Sequence, residues 1–113
     1  MIQVCIAVLA LLALTMMSLR ANRRFSQERR LPMQWSLSGS VNWTAPRALA
    51  LAFTPVFAAI TLAASIVATI TIGPRPGQEG DVVPAILAVS LCFVGAHALH
   101  LWLIGRWVQT GGR

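Results

Sequence analysis

Three stretches of the chain carry no Arg, Lys, Asp or Glu: Met1 to Leu19, Ala48 to Gly73 and Pro84 to Gly105. Even the shortest, nineteen residues, would reach about 28 Å as a helix, roughly one hydrocarbon thickness. A soluble core helix of that length would carry a regular polar face, and these runs do not. The expectation is an all-α integral membrane protein with three transmembrane helices in a single membrane domain, 1–113. Its parts are span one (1–19), a basic and Trp-containing interfacial loop (20–47), span two (48–73), a short loop (74–83), span three (84–105) and a tail (106–113). A signal peptide begins with basic residues and ends at a small-residue cleavage site. Here the basic cluster follows the apolar run, so span one is expected to be retained.

Charge then gives the orientation. The 113 residues are 57% hydrophobic and 11% charged, yet the net charge is +6. Ordinary soluble domains are about a quarter charged, and disordered segments need low hydrophobicity, so neither class fits. Arg without Lys, with abundant Ala and Leu, matches the coding bias of GC-rich bacteria. The long loop and tail together carry +7, from Arg20, Arg23, Arg24, Arg29, Arg30, Arg47, Arg106 and Arg113 against Glu28. The short loop sets Arg75 against Glu79 and Asp81, a balance of −1. Basic short loops stay in the cytoplasm, which predicts a multi-pass protein of the bacterial inner membrane, N-terminus outside and C-terminus cytoplasmic. Trp35, Trp43, Trp102 and Trp107 all fall on the basic side. Tryptophan favours the headgroup layer, so the long loop is expected to lie along the interface. Its cluster of Arg20, Arg23, Arg24, Arg29 and Arg30, continuing helix one or lying on the lipid, would meet anionic headgroups at about 1 kcal/mol per residue. Phe25 is the only aromatic among them, and no nucleic-acid reader fold accompanies it, so no nucleic-acid partner is expected.

Punctuation agrees with the boundaries. Gly73-Pro74-Arg75-Pro76-Gly77 cannot continue a helix, and Pro84 suits a first helical turn. Thr44 is an acceptable cap for the second helix. Pro55, inside that helix, frees the carbonyl of Leu51, which Thr54 or a neighbouring helix is expected to satisfy.

Thr54, Ala58, Thr61, Ser65 and Thr69 share one face of span two. Small and hydroxyl residues at such spacing let membrane helices approach closely. Helix packing is the favoured reading over a polar path, because no ionisable group joins the stripe. Ala85, Ala88, Cys92 and Ala96 form a packing-like face on span three. Cys5 and Cys92, far apart in apolar runs, read as small packing residues rather than a disulfide or metal pair. His97 and His100 lie at membrane depth, where an ionisable side chain is a functional candidate. They are read either as neutral rings bonded to Thr61, Ser65 or a backbone carbonyl, or as proton-linked groups. No carboxylate or thiolate at matching depth completes a metal site, and no cofactor is expected. The only carboxylates, Glu28, Glu79 and Asp81, lie in loops with no nucleophile–base arrangement, so an enzyme is not expected.

The long loop is the most patterned segment: Pro32, Gln34-Trp35, Gly39, Trp43 and Arg47, followed by the in-helix Pro55. Pro32 fixes an extended backbone, and Gly39 permits a turn at positive φ. This pattern resembles the uncharacterised N-terminal domain of SdpI-type bacterial membrane proteins: proline, any residue, histidine or glutamine, then tryptophan, with a later glycine, aromatic, basic residue and in-helix proline. The match covers about Leu31 to Phe57. The resemblance implies a binding role for the loop, in envelope signalling or in immunity to a secreted toxin. The sequence alone leaves open a plain connector. It also leaves open a small oligomeric transporter or channel component, or an accessory subunit of a larger membrane complex, with a membrane-protein partner or a second copy as contact.

Overall fold

The computed structural model describes residues 1–111. Its elements are α1 (Ile2–Arg24), β1 (Arg30–Trp35), β2 (Val41–Pro46), α2 (Arg47–Thr71), a 3-10 turn at Glu79–Asp81 and α3 (Val82–Gln109). Three helices are long and apolar enough to cross a membrane. They run up, down and up, with α1 touching both others more extensively than they touch each other. Leu9, Leu12 and Met16 on α1, Phe53, Val56 and Ile60 on α2, and Leu91 and Leu99 on α3 are each more than half exposed. In water so much outward apolar surface would drive aggregation; in hydrocarbon it is the matching solvent.

Two helices outrun the uncharged stretches. α1 continues past Leu19 to Arg24, and α3 past Gly105 to Gln109, so the first half of the anticipated tail is helical. α2 stops at Thr71, where the Ile72 and Gly73 N–H groups both reach the Ala68 carbonyl, at 2.9 and 3.2 Å. Gly73 adopts φ +80° there, a conformation that disfavours side chains. Pro84 stands in the first turn of α3, where a missing N–H costs nothing. Thr44 does not cap α2. Pro46 occupies the cap position, and the Thr44 hydroxyl instead accepts from Arg30 Nε at 2.9 Å.

The all-α expectation needs one correction. The loop between α1 and α2 is an antiparallel β-hairpin. Register pairs Arg30 with Pro46, Leu31 with Ala45 and Pro32 with Thr44, then slips twice before Trp35 meets Val41. Both strands are edges, where proline is tolerated. The Ser36 N–H bonds the Ser40 carbonyl at 2.8 Å and the Gly39 N–H the Ser36 carbonyl at 3.0 Å, with Gly39 at φ +91°. A three-residue loop closed by a left-handed glycine is a standard hairpin connection.

Two buried clusters hold the bundle. One joins Ala21 and Phe25 of α1, Leu31 and Ala45 of the hairpin, Ala50 and Leu51 of α2 and Ile104 of α3. The other, toward the opposite end, joins Ala7, Ala10, Leu62 and Ile86. An isolated two-stranded hairpin is marginal; this one is stabilised because Leu31 and Pro32 are fully buried against helices.

The packing-like face of Ala85, Ala88, Cys92 and Ala96 points outward, away from the bundle. One further expectation is overturned. Cys5 and Cys92 are both exposed, so neither is an interior packing residue. Which face of an apolar helix turns inward depends on its neighbours, and small size alone does not decide it.

Candidate functional site

Arg47 is where the hairpin is fastened. Its backbone N–H bonds the Arg29 carbonyl at 2.9 Å, closing the hairpin's base. Its side chain reaches back to the end of α1. Nε donates to Asn22 Oδ1 at 2.8 Å, and one terminal nitrogen donates to the carbonyls of Ser26 and Glu28 at 2.9 and 2.7 Å, with Phe25 at 3.5 Å. These carbonyls belong to the turn that follows α1, where no helical N–H reaches Ser26 or Glu28, and they lie beside the partial negative charge of the helix C-terminus. A guanidinium fork answers both, and an ammonium would lack the spread of donors.

Two turns further along α2, Pro55 removes an N–H and leaves the Leu51 carbonyl without its helical partner. The Ser18 hydroxyl of α1 donates to that carbonyl at 2.7 Å. Ser18 Oγ also lies 2.8 Å from His97 Nε2. A hydroxyl has one hydrogen, and it is already committed to Leu51, so the His97 Nε2–H must donate to Ser18. The ring is fully buried, and its Nδ1 has no hydrogen-bond partner among the described residues, so the chain of bonds ends there. Ser90, one heptad earlier on α3, is buried and its hydroxyl is likewise unpaired.

His100 sits one turn nearer the hairpin. Its Nε2–H donates to the Pro32 carbonyl at 3.0 Å, and its ring meets Trp35 edge to face at 5.8 Å. The backbone-carbonyl partner anticipated for a histidine is therefore found at His100. His97 bonds Ser18, not Thr61 or Ser65. The Ser65 and Thr69 hydroxyls are instead spent on carbonyls of their own helix, Thr61 and Ser65, each at 2.8 Å.

Each residue of the loop pattern thus has a place. Pro32 is buried with its carbonyl on His100, Trp35 covers the same ring, Arg47 clamps α1, and Pro55 creates the acceptor for Ser18. Gln34 Oε1 accepts from the Trp43 indole at 3.1 Å across the hairpin's outer face. Gly39 makes the turn. What these residues leave bare is the tip. Leu37 is fully exposed, Trp43 is half exposed, and the Ser36, Ser38 and Ser40 hydroxyls cluster beside them at 2.7 to 3.3 Å.

The basic cluster divides. Arg30 is bound to the Thr44 hydroxyl and carbonyl, at 2.9 and 2.7 Å. Arg24 lies over the Phe25 ring at 5.1 Å and against Gly105, whose absent Cβ would fall 2.8 Å from the guanidinium. Arg20, Arg23 and Arg29 are exposed around them. Among the described residues, every arginine hydrogen bond at this end goes to a neutral oxygen, and none pairs with a carboxylate.

A groove of about 310 Å³ opens between α1 and α2 beside Pro55, with Thr15, Ser18 and Asn22 along one wall. Among the described residues, no three His, Cys, Asp or Glu side chains converge on a possible metal position. Sequence reasoning missed Ser18 and Asn22. The signal for Ser18 was present: a proline-freed carbonyl on one span and a lone hydroxyl near the same end of another.

No family model, curated protein or solved structure matches this chain.

Proposed function

We propose that the chain is a non-enzymatic protein of the bacterial inner membrane, and that its hairpin is a rigid binding element for a protein partner at the cytoplasmic face. The resemblance of the loop pattern to SdpI-type proteins supports a role for that binding in envelope signalling or toxin immunity. The observation that carries the reading is the contrast within the hairpin: base and flank are fixed by Arg47, His100 and Trp35, while Leu37 at the tip and Trp43 on the outer face stand exposed. Binding surfaces are commonly loops held by a stiff scaffold. The cytoplasmic side is supported by the +7 to −1 asymmetry between the two ends, and the free Arg20, Arg23 and Arg29 suit anionic headgroups there. The test is a photo-crosslinking residue at Leu37 in cells, with one at Ile70 as reference. A discrete adduct from position 37, reduced by Trp43→Ala at unchanged thermal stability, is expected. No adduct from 37, or the same adducts from both positions, would contradict it.

A second reading is supported by the outward Ala85, Ala88, Cys92 and Ala96: a face of small residues suits close approach of a second copy, as in an oligomeric transporter component or a subunit of a larger complex. The Ser65 and Thr69 hydroxyls of span two favour packing over a polar path, because they bond their own helix. Oxidation of the native Cys92 in a Cys5→Ser background tests it. A disulfide-linked dimer supports this reading, and a monomer in native membranes speaks against it.

A further inference from the structure

Between the hairpin turn and the last turns of α3 lies a cleft of about 370 Å³, bounded by Trp35, Ser36, Leu103, Arg106, Trp107 and Thr110. None of the interactions that fasten the hairpin depends on Arg106 or Trp107. The Arg106 guanidinium is exposed and rests over the Trp102 ring at 5.2 Å. It hydrogen-bonds nothing among the described residues, so its fork of donors is uncommitted. The indole N–H groups of Trp35 and Trp107 are uncommitted too, whereas that of Trp43 is spent on Gln34. Among the described residues no carboxylate lines the cleft; Glu79 and Asp81 are at the other end of α3.

A planar cation and two indole donors around an apolar-walled cleft suit a phosphate oxyanion, which arginine binds in bidentate fashion. The setting selects the source of that phosphate. Leu99, Leu103, Arg106 and Thr110 recur at spacings of four, three and four, so they share one face of α3. Down that face Leu99 and Trp102 are more than half exposed. A group held at Arg106 therefore stands at the head of an apolar track on a membrane-length helix, with tryptophans at the level where they settle in headgroups.

We propose that this cleft holds the phosphate of one anionic phospholipid, with Arg106 as its charged partner, the indoles of Trp35 and Trp107 as walls and second donors, and acyl chains along Leu99 and Trp102. The bound lipid would then seat the hairpin turn against α3 and fix the height of Leu37 above the membrane. The inference rests on the proposed placement of the hairpin end at the membrane surface, but its readout needs no protein partner, so a failed crosslink at Leu37 would leave it standing.

Native mass spectrometry of the purified full chain in mild detergent, titrated with phosphatidylglycerol or phosphatidylcholine, tests it. The expected result is one retained phosphatidylglycerol per chain, preferred by about tenfold, the worth of a good charge-assisted pair. Arg106→Gln should abolish the preference, Arg106→Lys should retain part of it, and Arg29→Gln, the same charge change outside the cleft, should alter it less than about twofold. Trp107→Phe keeps the wall and removes one donor, for an expected loss of about threefold. Equal losses for Arg29→Gln and Arg106→Gln would mean diffuse attraction and overturn the proposal, as would equal retention of both lipids. Displacement by millimolar inorganic phosphate would assign the cleft to a soluble anion instead. Should Arg106→Gln fail to fold, an unchanged preference in both Arg106→Lys and Trp107→Phe would overturn the proposal.

Discussion

Arg47, Ser18, His97 and His100 hold the hairpin end of the bundle with directed hydrogen bonds, whereas Ala7, Ala10, Leu62 and Ile86 hold the far end by contact alone. The difference matters in lipid, where apolar side chains gain little by leaving one hydrocarbon for another. Contact between helices then resists separation weakly and specifies register loosely. A hydrogen bond offered no water competes only with an unsatisfied group, and it fixes position as well as holding it. The hairpin end is accordingly the specified end, and the far end the tolerant one.

Substitutions can break this contrast. The largest effect is expected at Arg47, where alanine removes the clamp on α1 and strands several carbonyls, at a cost of about 3 kcal/mol; Arg47→Lys should recover less than half. Both are read as shifts in the unfolding midpoint in mild detergent. At the contact end, Leu62→Ala should cost about 2 kcal/mol by leaving a void, with no change in hydrogen exchange across the hairpin. Equal loosening of both ends by either variant would erase the distinction.

Ser18 gives a finer test. Ser18→Ala leaves both the Leu51 carbonyl and the His97 N–H without partners, for about 1–2 kcal/mol. Pro55→Ala returns an N–H to that carbonyl, so in the double variant part of the Ser18 cost should disappear, a coupling of about 1 kcal/mol. Strict additivity would mean that the proline and the serine do not share the carbonyl. Smallest is Gly39→Ala, about 1 kcal/mol for a side chain at φ +91°, accompanied by faster hydrogen exchange of the Gly39 and Ser36 amides alone.

Much of the frame is legible in the sequence for a simple reason. An uncharged run of membrane length has few alternatives to a spanning helix, and Gly39 and Pro55 announce their backbone consequences wherever they occur. The hairpin was hidden by its own irregularity. Pro32 argues against a strand, and two register slips within Pro32 to Trp35 erase the alternation that marks one. Its stability comes from all three helices, in part through Pro32 and His100, sixty-eight positions apart. Ser18 and His97 are seventy-nine apart, a pairing that no local pattern encodes. The inward or outward sense of Ala85 to Ala96 was equally illegible, since every face of that helix is apolar.

The three helices hold a fixed hairpin with its tip outward, and the proposed place of that tip is the cytoplasmic side of the membrane. Cysteine accessibility tests it most directly, with Leu37→Cys and Gln78→Cys introduced singly where Cys5 and Cys92 are serine. In intact cells a membrane-impermeant maleimide should modify position 78 and leave position 37 untouched until the membrane is opened, after which 37 should react rapidly. Modification of 37 in intact cells would reverse the orientation, and a residue that stays unreactive after opening would bury the tip that the account leaves exposed.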